Sequence, residues 1–349
     1  MEPDYHSLLT NYDGRPVFIA EIGINHGGRR ANTLELVDLA LESGADIIKM
    51  QLHTLEDEMS PAAQEIFPPN ADVSIWSVVE DAMLPLEVLT EVKTRVEQRH
   101  KKFLVTPFSR SAVTSLAQIG VSAVKVGSGE VSNWPLLEHI CGMQVPVILS
   151  TGMHSLDDVK AAVDIFRVSG VPVAVLHCVS LYPTPLDKVR LDGISQLRTM
   201  FPDLTVGLSL HTPSTAAVVG AVALGARIIE VHFTDSHERL GPDVSSSFDP
   251  SEFASMRQEA LEVFAALGER ASPFPEEFEV RAFALASICA TRDIVRGEVF
   301  SEENIFPMRP EGGDFRPQDL MQLIGRRCTE NLSRGDQVPR GAVDLDDGR

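Results

Sequence analysis

The stretch Lys102–Gly129, KFLVTPFSRSAVTSLAQIGVSAVKVGSG, decides the fold. It opens on Lys102–Phe108, a short apolar run of the kind that forms a buried strand. It passes through the amphipathic segment Ser111–Ile119 and returns to a second buried run, Ala123–Gly129. Strand, helix and strand in one short span make a βαβ unit. Working outward, the same rhythm recurs in both directions. Further buried runs are Val17–Gly23, Asp46–Gln51, Pro146–Gly152, Val173–Val179, Thr205–His211 and Arg227–Phe233. Amphipathic stretches alternate with them: Thr33–Ser43, with Leu34, Val37 and Leu41 on one stripe, then Leu86–Glu97, Leu156–Ser169, Ile194–Met200 and Ser214–Leu224. Eight strands in alternation with helices predict an α/β fold, a closed (β/α)8 TIM barrel. An open doubly wound sheet would use the same units. The count of eight, and the lack of a GxGxxG turn after the first strand, favour the barrel.

One connection is long. About 50 residues separate the second and third strands, and Leu52–Trp76 leaves the strand end where barrel active sites form. It is expected to be a lid or wall over the site. The barrel domain is expected to span 1–267. Gly268–Glu277 (GERASPFPEE) is Pro-rich and polar, so 268–283 reads as a linker. Residues 284–349 read as a small β-rich domain with one helix near Pro317–Ile324. A module of that size is marginal alone and is expected to dock on something.

Composition narrows the partners. The net charge of −20 argues against nucleic acid and against an anionic membrane surface. No apolar run reaches the length of a membrane span, and Met1–Arg15 lacks the basic and apolar regions of a signal peptide. Cys141, Cys178, Cys289 and Cys328 are scattered, with no CxxC pair, so neither a disulfide framework nor a cysteine zinc site is expected. Reduced thiols fit a cytoplasmic protein.

Polar residues collect at the strand ends: Glu21, Lys49, Gln51, Thr106, Lys125, Ser128, Glu130, Ser150, His177, Ser180, Tyr182, Ser209, His211, Glu230, His232 and, downstream, Asp243. Alternate residues of a strand share a face, so Lys49 and Gln51 can point inward together, as can Ser209 with His211 and Glu230 with His232. Two histidines on neighbouring strands could meet a divalent metal or could simply be hydrogen-bonded core residues. Lys49 and Lys125 sit in apolar strands, where desolvation opposes a charge. They suit a small dianion such as a phosphate ester, with Thr106, Ser128, Ser150 and Ser209 as neutral donors. Alternatively one is a Schiff-base lysine, or both are neutralised by glutamates. Glu21 could be a general base or the ion-pair partner of Lys49. The run Glu56-Asp57-Glu58 reads as a solvated loop face.

These residues lie in motifs. They are AEIGINHGG (Ala20–Gly28), IIKMQLHTLEDEMS (Ile47–Ser60), NADVSI (Asn70–Ile75), TPFS (Thr106–Ser109), KVGSGE (Lys125–Glu130) and ILSTGM (Ile148–Met153). LHCVSLYPTP (Leu176–Pro185), GLSLHT (Gly207–Thr212) and EVHFTD…GPD (Glu230–Asp243) follow, then RDIVRGEVFSEENIFPMRPEGGDF (Arg292–Phe315). In this order they resemble the N-acetylneuraminate (sialic acid) synthases, and the last resembles the antifreeze-like (SAF) domain, a β-clip-like module, that ends that family. The resemblance implies condensation of phosphoenolpyruvate with N-acetylmannosamine, and a domain-swapped homodimer in which one subunit's SAF domain closes its partner's barrel. It implies Mn2+, or another divalent ion such as Mg2+ or Co2+, on His211 and His232. It implies Glu21, Lys49 and Lys125 as catalytic residues. Phosphoenolpyruvate contacts would fall to Thr106, Ser128, Ser150 and Ser209, acceptor contacts to Gln51, Asn70, Tyr182, Asp243 and the partner's Arg309, and Glu130 and Ser180 complete the substrate-binding set. A related nonulosonate synthase, of legionaminic or pseudaminic type, is the neighbouring possibility. Two positions depart from the usual pattern. Ser180 stands where the family has Asn, and Leu210 where it has Asp. Alternation turns Leu210 away from the face of Ser209 and His211, so its change is expected to fall behind the barrel wall.

Overall fold

The computed structural model describes residues 4–9 and 12–344. Eight parallel strands close on themselves, β1 pairing with both β2 and β8. They are β1 (Val17–Glu21), β2 (Ile47–Leu52), β3 (Lys102–Pro107), β4 (Val124–Val126), β5 (Val147–Ser150), β6 (Val173–Cys178), β7 (Val206–Leu210) and β8 (Ile228–Phe233). A short β9 (Ser247–Phe248) adds in parallel to β8. Each strand is followed by a helix, in order Arg30–Glu42, Leu86–Gln98, Arg110–Ile119, Trp134–Cys141, Leu156–Val168, Asp192–Met200, Thr215–Ala223 and Pro250–Ala266. Trp134–Cys141 escaped the sequence reading because it is short and largely apolar. Its start is marked instead by an Asn133 cap, whose side chain accepts from Leu136 N, with a proline in the first turn. Strands β4 and β5 stop short of Gly129 and Gly152, and Ser128–Glu130 turns off as a 3-10 helix.

Strand alternation sorts the side chains into two cores. Outward residues such as Phe18, Ile48, Met50, Phe103, Val105, Leu149, Val175, Leu208 and Val231 pack against the helices in one large apolar cluster. Inward residues Val17, Ile19, Ile47, Leu104, Ala123, Ile148, Ala174, Leu176 and Ile228 fill the lower half of the barrel. The short helix α1 (Tyr5–Leu9) joins that inner cluster through Tyr5, Leu8 and Leu9, and the Tyr5 hydroxyl donates to Phe103 O at 3.0 Å. At the rim, Asp46 accepts from Arg15 at 3.0 Å and from Phe18 N at 3.1 Å.

Contacts divide the chain after Leu267. The second unit has an antiparallel pair, β10 (Ser287–Ala290) with β11 (Ile305–Met308). Its core contains Ile288, Ile294, Phe300, Ile305, Phe315, Leu323, Leu332 and Val338. The helix expected near Pro317–Ile324 is a 3-10 turn, Pro317–Asp319, running into Leu320–Leu323. Residues assigned to a linker include a helix, Glu277–Ala284, whose Phe278, Val280 and Phe283 are exposed. The extreme ends of the domains read from sequence, 1–3 and 345–349, lie outside the described residues. Among the described residues no helix is long and apolar enough to cross a membrane.

Candidate active site

The inward face changes character one step above the apolar layer. Glu21 follows Ile19, Lys49 follows Ile47, Thr106 follows Leu104, Lys125 follows Ala123, Ser150 follows Ile148, Cys178 follows Leu176, and Glu230 follows Ile228. All of these line one cavity of about 380 Å3, with Gln51, Ser128, Ser180, Tyr182, Ser209, His211, His232 and Asp243. Pro68, Pro69 and Asn70 of the long β2–β3 connection also line it, so that connection is part of the wall. Asn70 is tied across to Pro242 O at 3.0 Å.

The floor is a network of buried charges. Lys49 Nζ lies 2.8 Å from Glu21 Oε1 and 3.5 Å from Glu230 Oε1. Lys125 Nζ lies 3.9 Å from that Glu230 oxygen and donates to Ser150 Oγ at 2.7 Å and to Val126 O at 2.9 Å. Ser209 Oγ donates to Glu230 at 3.1 Å. Burial opposes the charge on Lys49, yet Glu21 and Glu230 outweigh it and hold the ammonium above the ordinary lysine value. Burial wins at Lys125 and lowers its pKa. Both lysines are thus paired with glutamates, as one reading of the sequence allowed. Charge balance alone does not satisfy the layer, because Glu21 Oε2, Glu230 Oε2 and Thr106 Oγ are buried without hydrogen-bond partners.

Above the floor stand the two histidines, ring centroids 5.3 Å apart. His211 Nδ1 donates to Val179 O at 2.9 Å, which leaves Nε2 to accept from the Tyr182 hydroxyl at 3.0 Å. A histidine held through one nitrogen offers the other with a fixed direction. His232 Nδ1 is buried without a hydrogen bond, 3.4 Å from Asp243 Oδ2. Burial, then His211 and the two lysines, push the His232 pKa well down, so its imidazole is neutral. Burial and the Glu21 charge push Asp243 up to about 6. Burial opposes a charge at His211, but Cys178 and the Val179 carbonyl outweigh it and raise its pKa. Two imidazoles and a nearby carboxylate are donor types that fit a borderline divalent ion, which would compete with a proton at His211. Among the described residues, a tighter cluster of donor atoms is His237, Asp249 and Glu252. That cluster is at the surface and already serves the capping box of helix Pro250–Ala266.

Several expectations need correction. Glu130 lies on the 3-10 turn after β4, outside the cavity lining, and accepts from Asn133 at 2.7 Å, because the strand ends before it. His177 points outward between β6 and its helix, with Nε2 bonded to Val189 O at 2.7 Å, because strand alternation gives the inward place to Cys178. Glu58 is not a solvated residue of an acidic run: its side chain is 9% exposed and meets His53 at 2.9 Å. Arg309 belongs to the second unit, where it is exposed. Leu210 faces the outer core, as alternation requires. The sequence reading missed Cys178, Phe108 and Met153 as lining residues and gave Glu230 no role. Alternation pointed to Cys178 and Glu230, while Phe108 and Met153 carry no polar signal. Burial would raise the Cys178 thiol, but His211, the Ser128 hydroxyl and Lys125 bring it down to about 7. Gly152 is needed here, since a Cβ would come within 2.3 Å of Ser180 Oγ.

Comparison with known proteins agrees with this geometry. Residues 36–272 match the NeuB family and residues 286–341 the SAF domain. The N,N'-diacetyllegionaminic acid synthase of Campylobacter jejuni is 30% identical, over 93% of this chain and 99% of its own. Human N-acetylneuraminate-9-phosphate synthase is 30% identical, over 94% of this chain and 93% of its own. Among solved structures, the N-acetylneuraminic acid synthetase of Leptospira borgpetersenii, in complex with citrate, aligns with a TM-score of 0.71 at 30% identity, over 77% of this chain and 90% of that one. With a family match across most of the barrel and relatives spanning nearly the whole length, this chain belongs to the NeuB family of sugar-acid synthases and carries a C-terminal SAF domain.

Proposed function

We propose that the protein condenses phosphoenolpyruvate with open-chain N-acetylmannosamine and water, giving N-acetylneuraminate and phosphate. The observation that carries this reading is the layering of the cavity: two buried lysines among hydroxyls at the floor, and a pair of oriented imidazoles above them. The floor suits an anion. Lys49 and Lys125 would bind the phosphate and carboxylate of phosphoenolpyruvate, displacing Glu230 as their partner, and Thr106, Ser128, Ser150 and Ser209 would donate to its oxygens. Ser180 is short for such a contact. Gln51, Asn70, Tyr182 and Asp243, nearer the mouth, would hold the aldose hydroxyls.

His211 and His232 would hold a divalent ion, Mn2+ or Mg2+ or Co2+, which when bound supplies Lewis acidity toward an aldehyde oxygen. Glu21 would take the proton from a water that adds to C2 of the former phosphoenolpyruvate. C3 forms the new bond to the aldehyde carbon, whose oxygen takes up the proton that Glu21 gained from the water. The C2–O bond to phosphate breaks as the adduct collapses, the C2 hydroxyl proton leaving with the phosphate. Lys49 Nζ, 2.8 Å from Glu21 Oε1, would hold that carboxylate in place for the water.

We also propose that the working form is a cytoplasmic homodimer in which the second unit of one copy closes the partner's barrel and brings Arg309 to it. The exposed Phe274, Phe278 and Phe283 around helix Glu277–Ala284 support a covered surface there. The legionaminic and pseudaminic acid synthases among the relatives favour a second reading, the same chemistry on another acylated aldose. The test is phosphate release from phosphoenolpyruvate across a panel of aldoses, with and without Mn2+ after chelation. Release that needs the metal and N-acetylmannosamine supports the first reading. Preference for a diacetylated aldose replaces it with the second, and no release with any acceptor overturns both.

A further inference from the structure

Beside the cavity runs a chain of four side chains whose outer half belongs to no part of the reaction above. Gln51 Nε2 donates to Glu21 Oε1 at 2.7 Å. Gln51 Oε1 faces His53 Nε2 at 3.0 Å, and His53 Nδ1 faces Glu58 Oε2 at 2.9 Å. The His53 and Glu58 side chains are 6% and 9% exposed. The imidazole is stacked on Phe108, ring centroids 4.6 Å apart and 6° from parallel. Phe108 in turn lines the cavity.

Gln51 Nε2 donates to Glu21 Oε1, which leaves the amide oxygen turned to His53. The same imidazole meets Glu58 through its other nitrogen and lies flat on Phe108, so each link fixes the orientation of the next.

We propose that Glu58 and His53 are a positioning pair for Glu21: the imidazole, held between Glu58 and the Phe108 ring, locks the Gln51 amide, and the locked amide aims the Glu21 carboxylate. Neither residue touches the reacting atoms. The other titratable groups facing the pair are His26, from the β1 loop, and Glu130, which lies toward Glu58 from the turn after β4. The inference rests on Glu21 being the base of the proposed reaction.

The test compares wild type, His53→Phe, Glu58→Gln and the double variant by steady-state phosphate release. His53→Phe keeps the stack on Phe108 and removes both ring nitrogens. It should lower kcat about tenfold, a small share of what a general base supplies, with KM for phosphoenolpyruvate held within about twofold. Glu58→Gln should lower kcat by a smaller factor with KM again held, and the double variant should match His53→Phe alone. Nitrogen NMR of the histidine rings gives a readout free of turnover: the ring signals that vanish in His53→Phe should shift in Glu58→Gln. A folded His53→Phe protein with normal kcat, independent effects of the two substitutions, or ring signals unmoved by Glu58→Gln would overturn the proposal. A wild type whose ring signals respond as expected but which releases no phosphate would retain the hydrogen-bonded pair and remove the reaction assigned to the site.

Discussion

At the N-terminal end of the barrel the inward side chains are Val17, Ile19, Ile47, Leu104, Ile148 and Ile228. Two residues further along the same strands they are Glu21, Lys49, Thr106, Ser150 and Glu230. Backbone, register and burial barely differ between the two layers. The lower one gains stability by removing apolar area from water. The upper one holds three charges, Glu21, Lys49 and Glu230, that each cost desolvation, and it leaves Glu21 Oε2 and Glu230 Oε2 unsatisfied. A structure built for stability alone would have continued the apolar layer upward, so the difference separates what folds the barrel from what it works with.

That contrast can be broken by substitutions in either layer. In the upper layer, Glu21→Gln keeps shape and hydrogen-bonding capacity. Turnover should fall about a thousandfold with little change in Tm, read by phosphate release and thermal unfolding. In the lower layer, Leu104→Ala should do the reverse, costing about 3 kcal/mol in denaturant unfolding and leaving kcat nearly unchanged. Equal effects of the two on both readouts would dissolve the distinction. His232→Ala, at the top, should weaken divalent-metal affinity about a hundredfold by competition titration, with the fold intact. The smallest effect is expected at the bottom rim. Burial opposes the Asp46 charge, but Arg15 and Phe18 N lower its pKa from the ordinary 3.8. A depressed carboxylate stabilises the fold above its unfolded value and loses that contribution as pH falls below it. Asp46→Asn should therefore cost about 2 kcal/mol at neutral pH, and the gap to wild type should close in acid.

The barrel was legible because its signal repeats. Each strand offered a short apolar run, and alternation then assigned Glu21, Lys49, Lys125, His211 and His232 to the inner face and Leu210 to the outer one. The same rule, applied strictly to β6, would have chosen Cys178 over His177. Misreadings gathered where periodicity stops. Glu130 follows a strand that ends early, and Glu58 looked solvated because its neighbours are acidic, yet a tight turn at Leu55–Glu58 brings it back to His53. Such returns depend on loop geometry, which carries no period to read.

The filled lower half has a consequence for traffic. With Tyr5, Leu8 and Leu9 of α1 packed under the apolar layer, the described residues stopper the barrel below the cavity, whose lining lies at the strand C-terminal ends. On the function proposed above, the anion on the lysines would be the deeper ligand and the aldose beside Asn70 and Tyr182 the outer one. The stopper would then set the order in which the two enter.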